Sequence, residues 1–318
     1  MEENKIKTDA QPKKSLKSTL FEIYDKKYKT LLIIPFIILF LSIAQISYQY
    51  YSTGDFMKRD VSLKGGVAIT VPYEKEFDAA SAERIISGDL HGTDAHIRIL
   101  RSTSKVVGFI VEAPIDGNDK TQVDGLLKSI GSSLQINLKD YDYGIEIIGS
   151  SLGASFFRES FIALAVAFIF MGLVIFIYFR TVIPSAAIIL AAFSDMVMAL
   201  AVVNLMGIEI GTSGVAAFLM LIGYSVDTDI LLTVRVLKRK EGTVMDRIVS
   251  SIKTGMTMTM TAIISTIVAL LVTQSDVIRQ IMLILLMGLI ADIFMTWIQN
   301  VGILRMYVDK KAEKGINI

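Results

Sequence analysis

The chain has 318 residues, 53% of them hydrophobic, and a formal net charge of +1. Its mean hydropathy of +0.55 is higher than a water-soluble domain of this size carries. The near-neutral charge gives no electrostatic footprint for nucleic acid, and the absence of cysteine excludes disulfides and thiolate metal sites.

Residues 1–29 form a basic tail with eight lysines and no arginine. Residues 30–51 read TLLIIPFIILFLSIAQISYQYY and show no small-residue cleavage site, so they predict a retained transmembrane helix. Residues 52–158 are polar and long enough for one small domain. Within them GGVAITVPY alternates and is β-branched, as a strand requires. FDAASAERIISGDL has helical spacing. DAHIRILRS and KVVGFIVEAPI are two further strands. NDKTQVDGLLKSIGSSL is a helix capped by Asn118 or Asp119, and YGIEIIG is a last strand. This β-α-β-β-α-β order predicts a ferredoxin-like α+β domain. At its root, Gly54 and the pair Gly65–Gly66 read as a flexible junction, because glycine adopts backbone conformations other residues resist.

Five more apolar runs follow, at about residues 160–179, 183–206, 211–236, 256–274 and 277–304, each long enough to cross a bilayer. The predicted fold class is therefore an α-helical polytopic membrane protein. It has six transmembrane helices and one ferredoxin-like domain between helices 1 and 2, then a five-helix block (residues 159–306) and a tail (residues 307–318). Basic residues cluster on alternate connections: Arg235, Lys238, Arg239, Lys240, Arg247 and Lys253 after the fourth run, and Arg305, Lys310, Lys311 and Lys314 after the sixth. The positive-inside rule then places both termini in the cytoplasm and the polar domain outside, in a multi-pass protein of the cell membrane.

Four acids interrupt the apolar runs: Asp195, Asp227, Asp229 and Asp292. At a helix centre each costs roughly 2.5–3.5 kcal/mol to insert, so four in one small bundle suggest a task or a buried polar network. Asp227 and Asp229 lie about 200° apart around a helix and cannot face the same partner. Asp227 shares a face with Gly223, Tyr224 and Leu231, and Asp229 with Ser225 and Thr233. A proton relay reading favours Asp227 foremost; the competing reading is a static network of neutral acids. Lys253 reads either as a counter-charge or as an interfacial anchor. Thr254, Thr257 and Thr261 share one helical face and suggest a polar seam, with Thr259 off it. His91 and His96 read as surface residues, and no metal or cofactor is expected. A G-x-x-x-x-G-K phosphate loop is absent, so nucleotide hydrolysis has no support.

Several of these stretches, in this order, resemble the SecD/SecF family of protein-export membrane proteins, within the resistance-nodulation-division superfamily. VSLKGGVAITV resembles the motif opening the family's external domain, and EIIGSSLGASFFRES the element leading into the second span. SDMVMALAVVNLMGIEI followed by TSGVAAFLMLIGYSVDTD resembles its H-D…L-G-I-E…I-G-Y-S block, on the SecF side. TGMTMTMTAI resembles its Thr-rich fifth helix. Carried over, Asp195 matches the acid of the third helix, and Asp227 falls where SecD members place an acid. Bacterial SecF members align their acid with Thr228, carry Arg at Lys253 and Asp at Ser62, and have no counterpart of Asp292; the departures resemble an archaeal-type member. The resemblance implies a non-enzymatic accessory subunit of the Sec machinery. It would pair with a separate SecD chain, meet the SecY channel, and use the proton gradient to help a translocating polypeptide across, surrounded by membrane lipid. A purely structural subunit and a small-molecule or lipid exporter are the alternatives. An intramembrane aspartyl protease is disfavoured, because YSVD stands where its Gly-rich motif belongs.

Overall fold

The computed structural model describes residue 24 and residues 27–90, 93, 95–102, 105–239, 241–273 and 275–315. Most of the basic tail, His91 and Lys240 lie outside the described residues. Six helices are long and apolar enough to cross a membrane, over Tyr28–Thr53, Ser150–Phe179, Val182–Leu205, Thr212–Lys238, Val244–Val272 and Asp276–Glu313. The first comprises a short turn and α1 (Ile33–Thr53), ended by Gly54 in the left-handed conformation. After α1 come α2 (Val61–Lys64), β1 (Gly66–Val71), α3 (Ala79–Asp89), β2 (His96–Ser102), β3 (Lys105–Ala113), α4 (Lys120–Leu134) and β4 (Gly144–Ile148). The remaining spans are α5 (Ser150–Phe179), α6 (Val182–Leu205), α7 (Thr212–Lys238) and α8 (Val244–Val272). The last span runs through α9 (Asp276–Phe294), a widened turn at Met295–Asn300 and α10 (Val301–Glu313).

The four strands pair in the order β2-β3-β1-β4, every pair antiparallel. Two helices start where the sequence supplies caps. Asp78 accepts from the amides of Ala80 and Ser81, and Asp119 accepts from that of Thr121. Val67, Ile69, Phe109 and Val111 from the strands meet Ile86, Leu126 and Ile130 from the helices, all fully buried, in one apolar core.

In the bundle, burial separates central from peripheral helices. Half or more of the apolar windows of α6, α7 and the last span is buried, against 6% in α5 and 17% in α8. Two starts differ from the apolar runs. Helix α5 begins at Ser150 and α8 at Val244, because polar but helix-compatible turns extend each span; Thr243 and Asp246 close a capping box ahead of α8.

The segment between α1 and the sheet is built into the bundle. Leu63 and Met57 are buried among Ala199, Ala217, Leu221 and Leu285. The amide of Ile210 donates to the Lys58 carbonyl at 2.7 Å, and the Thr212 amide donates to the Ser62 hydroxyl at 3.1 Å. At the Gly65–Gly66 junction the structure shows why glycine stands at both positions. Both residues have positive φ, +82° and +146°. A Cβ on Gly65 would lie 2.7 Å from the Ser150 backbone nitrogen, and one on Gly66 would lie 2.5 Å from the Ala113 carbonyl oxygen. The pair permits close approach of the backbone to Ser150 and Ala113.

Candidate functional site

Three of the four intramembrane acids converge. Asp195 on α6, Asp229 on α7 and Asp292 on α9 are each at most 1% exposed. Each stands on one of the central helices, so their side chains point into the bundle interior. The Ser225 hydroxyl donates to Asp195 Oδ2 at 2.5 Å. Asp229 Oδ1 accepts from the Asn300 amide at 2.7 Å. Thr228 lies 3.0 Å and Thr259 3.4 Å from the Asp292 carboxyl.

Thr296 joins two of the acids. Its hydroxyl oxygen is 2.9 Å from Asp229 Oδ1 and 2.7 Å from Asp292 Oδ1. A threonine has one hydroxyl proton and can donate to one carboxyl only. The second contact is a hydrogen bond only when that carboxyl carries a proton of its own and donates to the threonine oxygen. The arrangement can therefore accommodate one proton. Asp195 Oδ1 and Asp229 Oδ2 are buried with no donor at all. Among the described residues no basic side chain forms an ion pair with any of the three. A buried carboxylate without a counter-charge or full hydrogen bonding is expensive, and binding a proton removes that cost.

The widened turn at Met295–Asn300 carries two of these partners, Thr296 and Asn300. Such i→i+5 turns shift the helix face and occur often at functional sites. Here Thr296 and Asn300 reach Asp229, while Gln299 turns toward α6 and donates to the Ser194 hydroxyl at 3.2 Å. Residues 292, 296 and 300 recur at i, i+4 and i+8 in the sequence, a polar stripe in an apolar run that signals the same face. The sequence named Thr228 only as an alignment position and Thr259 only as lying off the seam, and it gave no role to Thr296 or Asn300.

The other candidates lie elsewhere. Asp227 is on the exposed face of α7 beside Gly223 and the 45% exposed Tyr224. The two acids of D-T-D do point to opposite sides of the helix, but the buried one is Asp229. Lys253 is exposed and forms no ion pair among the described residues, so it supplies no counter-charge to the acids of this chain. The Thr254–Thr257–Thr261 seam is also corrected. Thr257 and Thr261 are exposed and their hydroxyls donate to carbonyls of their own helix at 2.8 Å, while the off-face Thr259 is the inward one. An i−4 carbonyl satisfies a threonine hydroxyl that has no polar partner across the bundle. Among the described residues no group of three His, Cys, Asp or Glu side chains could hold a metal ion.

Comparison with known proteins gives concordant matches. Residues 127–310 match the family described as protein export membrane protein SecD/SecF, C-terminal. The protein-export membrane protein SecF of Methanocaldococcus jannaschii is 35% identical over 297 residues, covering 92% of this chain and 99% of that protein. Its counterpart in Pyrococcus furiosus is 34% identical, covering 94% and 97% respectively. The crystal structure of SecDF, a translocon-associated membrane protein from Thermus thermophilus, superposes with a TM-score of 0.69 at 16% identity. That match covers 91% of this chain and 38% of that longer one, and it shows a shared fold.

Proposed function

The chain belongs to the SecD/SecF family of protein-export membrane proteins, and from that premise we propose that it couples proton movement through the Asp195–Asp229–Asp292 cluster to protein export. The carrying observation is the Thr296 bridge, one hydroxyl proton between two buried carboxyls with no basic partner. A proton arriving at or leaving this trio changes the charge of an interior that cannot tolerate uncompensated charge, and the central helices must adjust.

The rest of the assembly follows from the surfaces. Basic clusters at the C-terminal ends of α7 and α10 support reading both termini as cytoplasmic and the four-stranded domain as external. Its strand order, with one helix after β1 and one after β3, supports reading it as ferredoxin-like. There it would meet a polypeptide leaving the SecY channel. The partner reading rests on Asp227. An acid exposed within a span costs roughly 2.5–3.5 kcal/mol against lipid, so the face bearing Asp227 and Gly223 is covered by SecD. The weak burial of α5 supports reading it as the lipid-facing helix.

The test is Asp292→Asn, which keeps the shape and removes the exchangeable proton. Export in cells should fall at least about tenfold, a loss of about 1.4 kcal/mol in coupling, while the amount of assembled complex stays normal. Unchanged export with normal assembly would leave the acids as a static network.

A further inference from the structure

A second carboxyl pair stands at the seam between sheet and bundle, away from the intramembrane acids. A cleft of about 320 Å³ separates the sheet from the loop between α6 and α7, lined by Glu83, His96, Arg98, Glu112, Glu209 and Arg279, among others. Glu112, on β3, is 7% exposed. Arg98 on β2 donates to its Oε1, while its Oε2 is buried with no donor. The carboxyl of Glu209 lies within hydrogen-bonding reach of it. Glu209 belongs to the bundle: its carbonyl accepts from the Gln280 amide of α9 at 2.7 Å. Two carboxylates have no hydrogen between them to share, so the contact bonds only when one is protonated.

We propose that Glu112 and Glu209 form a proton-binding site in which one shared proton ties the sheet domain to the bundle. The neighbours frame this pair from each side. From β2 come Arg98 and His96, whose Nε2 is 3.2 Å from Glu209 Oε1, and from α3 comes Glu83, 3.7 Å from His96 Nδ1. Asp60 and Lys64 flank it from the two ends of α2, and Asp276 and Arg279 stand at the start of α9. Burial pushes the Glu112 carboxyl up to about 7, with Arg98 opposing and Glu209 reinforcing. Burial also raises Glu209, against its bond to Glu112 and the pull of Arg98 and Lys64. A raised acid holds its proton longer in the folded state, so its contribution is complete in acid and is lost as pH rises through 7. On the alkaline side the two like charges repel and the seat loosens. The site binds a proton from the aqueous phase on the sheet side, and it stands whether or not the intramembrane trio carries protons.

The chain contains no cysteine, so two can be introduced cleanly. Lys120→Cys on the sheet domain and Leu205→Cys at the end of α6 are both exposed positions. Spin-labelled full-length chain in lipid nanodiscs would be measured by double electron–electron resonance on both sides of pH 7. A narrow distance distribution in acid that broadens or lengthens in alkali is expected. With Glu209→Gln the amide donates to Glu112 without a proton, and the distribution should stay narrow at both pH values. His96→Gln should leave the wild-type response intact. A distribution that does not change across pH 7 would overturn the proposal. So would a response that survives Glu209→Gln and vanishes in His96→Gln, which would assign the titration to the imidazole.

Discussion

At the scale of residues, what decides the site is the number of donors against the number of acceptors. Asp229 and Asp292 draw on Thr296, Thr228, Thr259 and Asn300, and the single hydroxyl proton of Thr296 stands between the two acids. Thr296→Val keeps the shape and removes that hydroxyl. It should lower stability by about 1–3 kcal/mol, the cost of stranding a buried polar group, read as a drop in thermal midpoint of the purified protein. Asp227→Asn should leave the midpoint of the isolated chain unchanged, because Asp227 is exposed, but weaken co-purification with SecD. The acids themselves were legible in the sequence, since charges in apolar runs stand out, and so was the opposite facing of Asp227 and Asp229. Which of the two turns inward was not legible. Helix periodicity gives relative faces and says nothing of which face the neighbouring helices cover. The same gap misassigned Thr257 and Thr259.

At the scale of elements, hydrophobic length and alternation recovered the six spans and the strands, because each depends on local periodicity. Asp119 could be read as a cap for the same reason. Two features were missed, one a local departure from α-helical spacing and one set by contacts far apart in sequence. The widened turn at Met295–Asn300 breaks the i→i+4 count on which face assignments rest. The second is the close packing of α5 and β3 against the Gly65–Gly66 pair. That packing makes a definite expectation. Gly66→Ala combines a backbone cost of about 1–3 kcal/mol for its unusual φ with a clash against the Ala113 carbonyl. The full chain should show a lower thermal midpoint and faster proteolysis of the sheet domain, whereas Gly125→Ala, in open space on α4, should not.

At the scale of the whole molecule, the weakly buried spans α1, α5 and α8 flank a polar centre, and a sheet domain is seated on one end by the Asp60–Gly66 bracket and, in our proposal, by the Glu112–Glu209 seam. The positive-inside reading gives this plan a direction. With no native cysteine, single cysteines at Lys120 and Lys314 should be labelled by a membrane-impermeant maleimide from outside and from inside, respectively. Labelling of both from the same side would reverse or refute the topology. The central claim is that the buried trio carries an exchangeable proton. The most direct measurement is proton flux into proteoliposomes holding this chain with its SecD partner, under an imposed pH gradient. Flux should be present in the wild type and abolished by Asp229→Asn and by Asp292→Asn. Equal flux in the wild type and both variants would contradict the account.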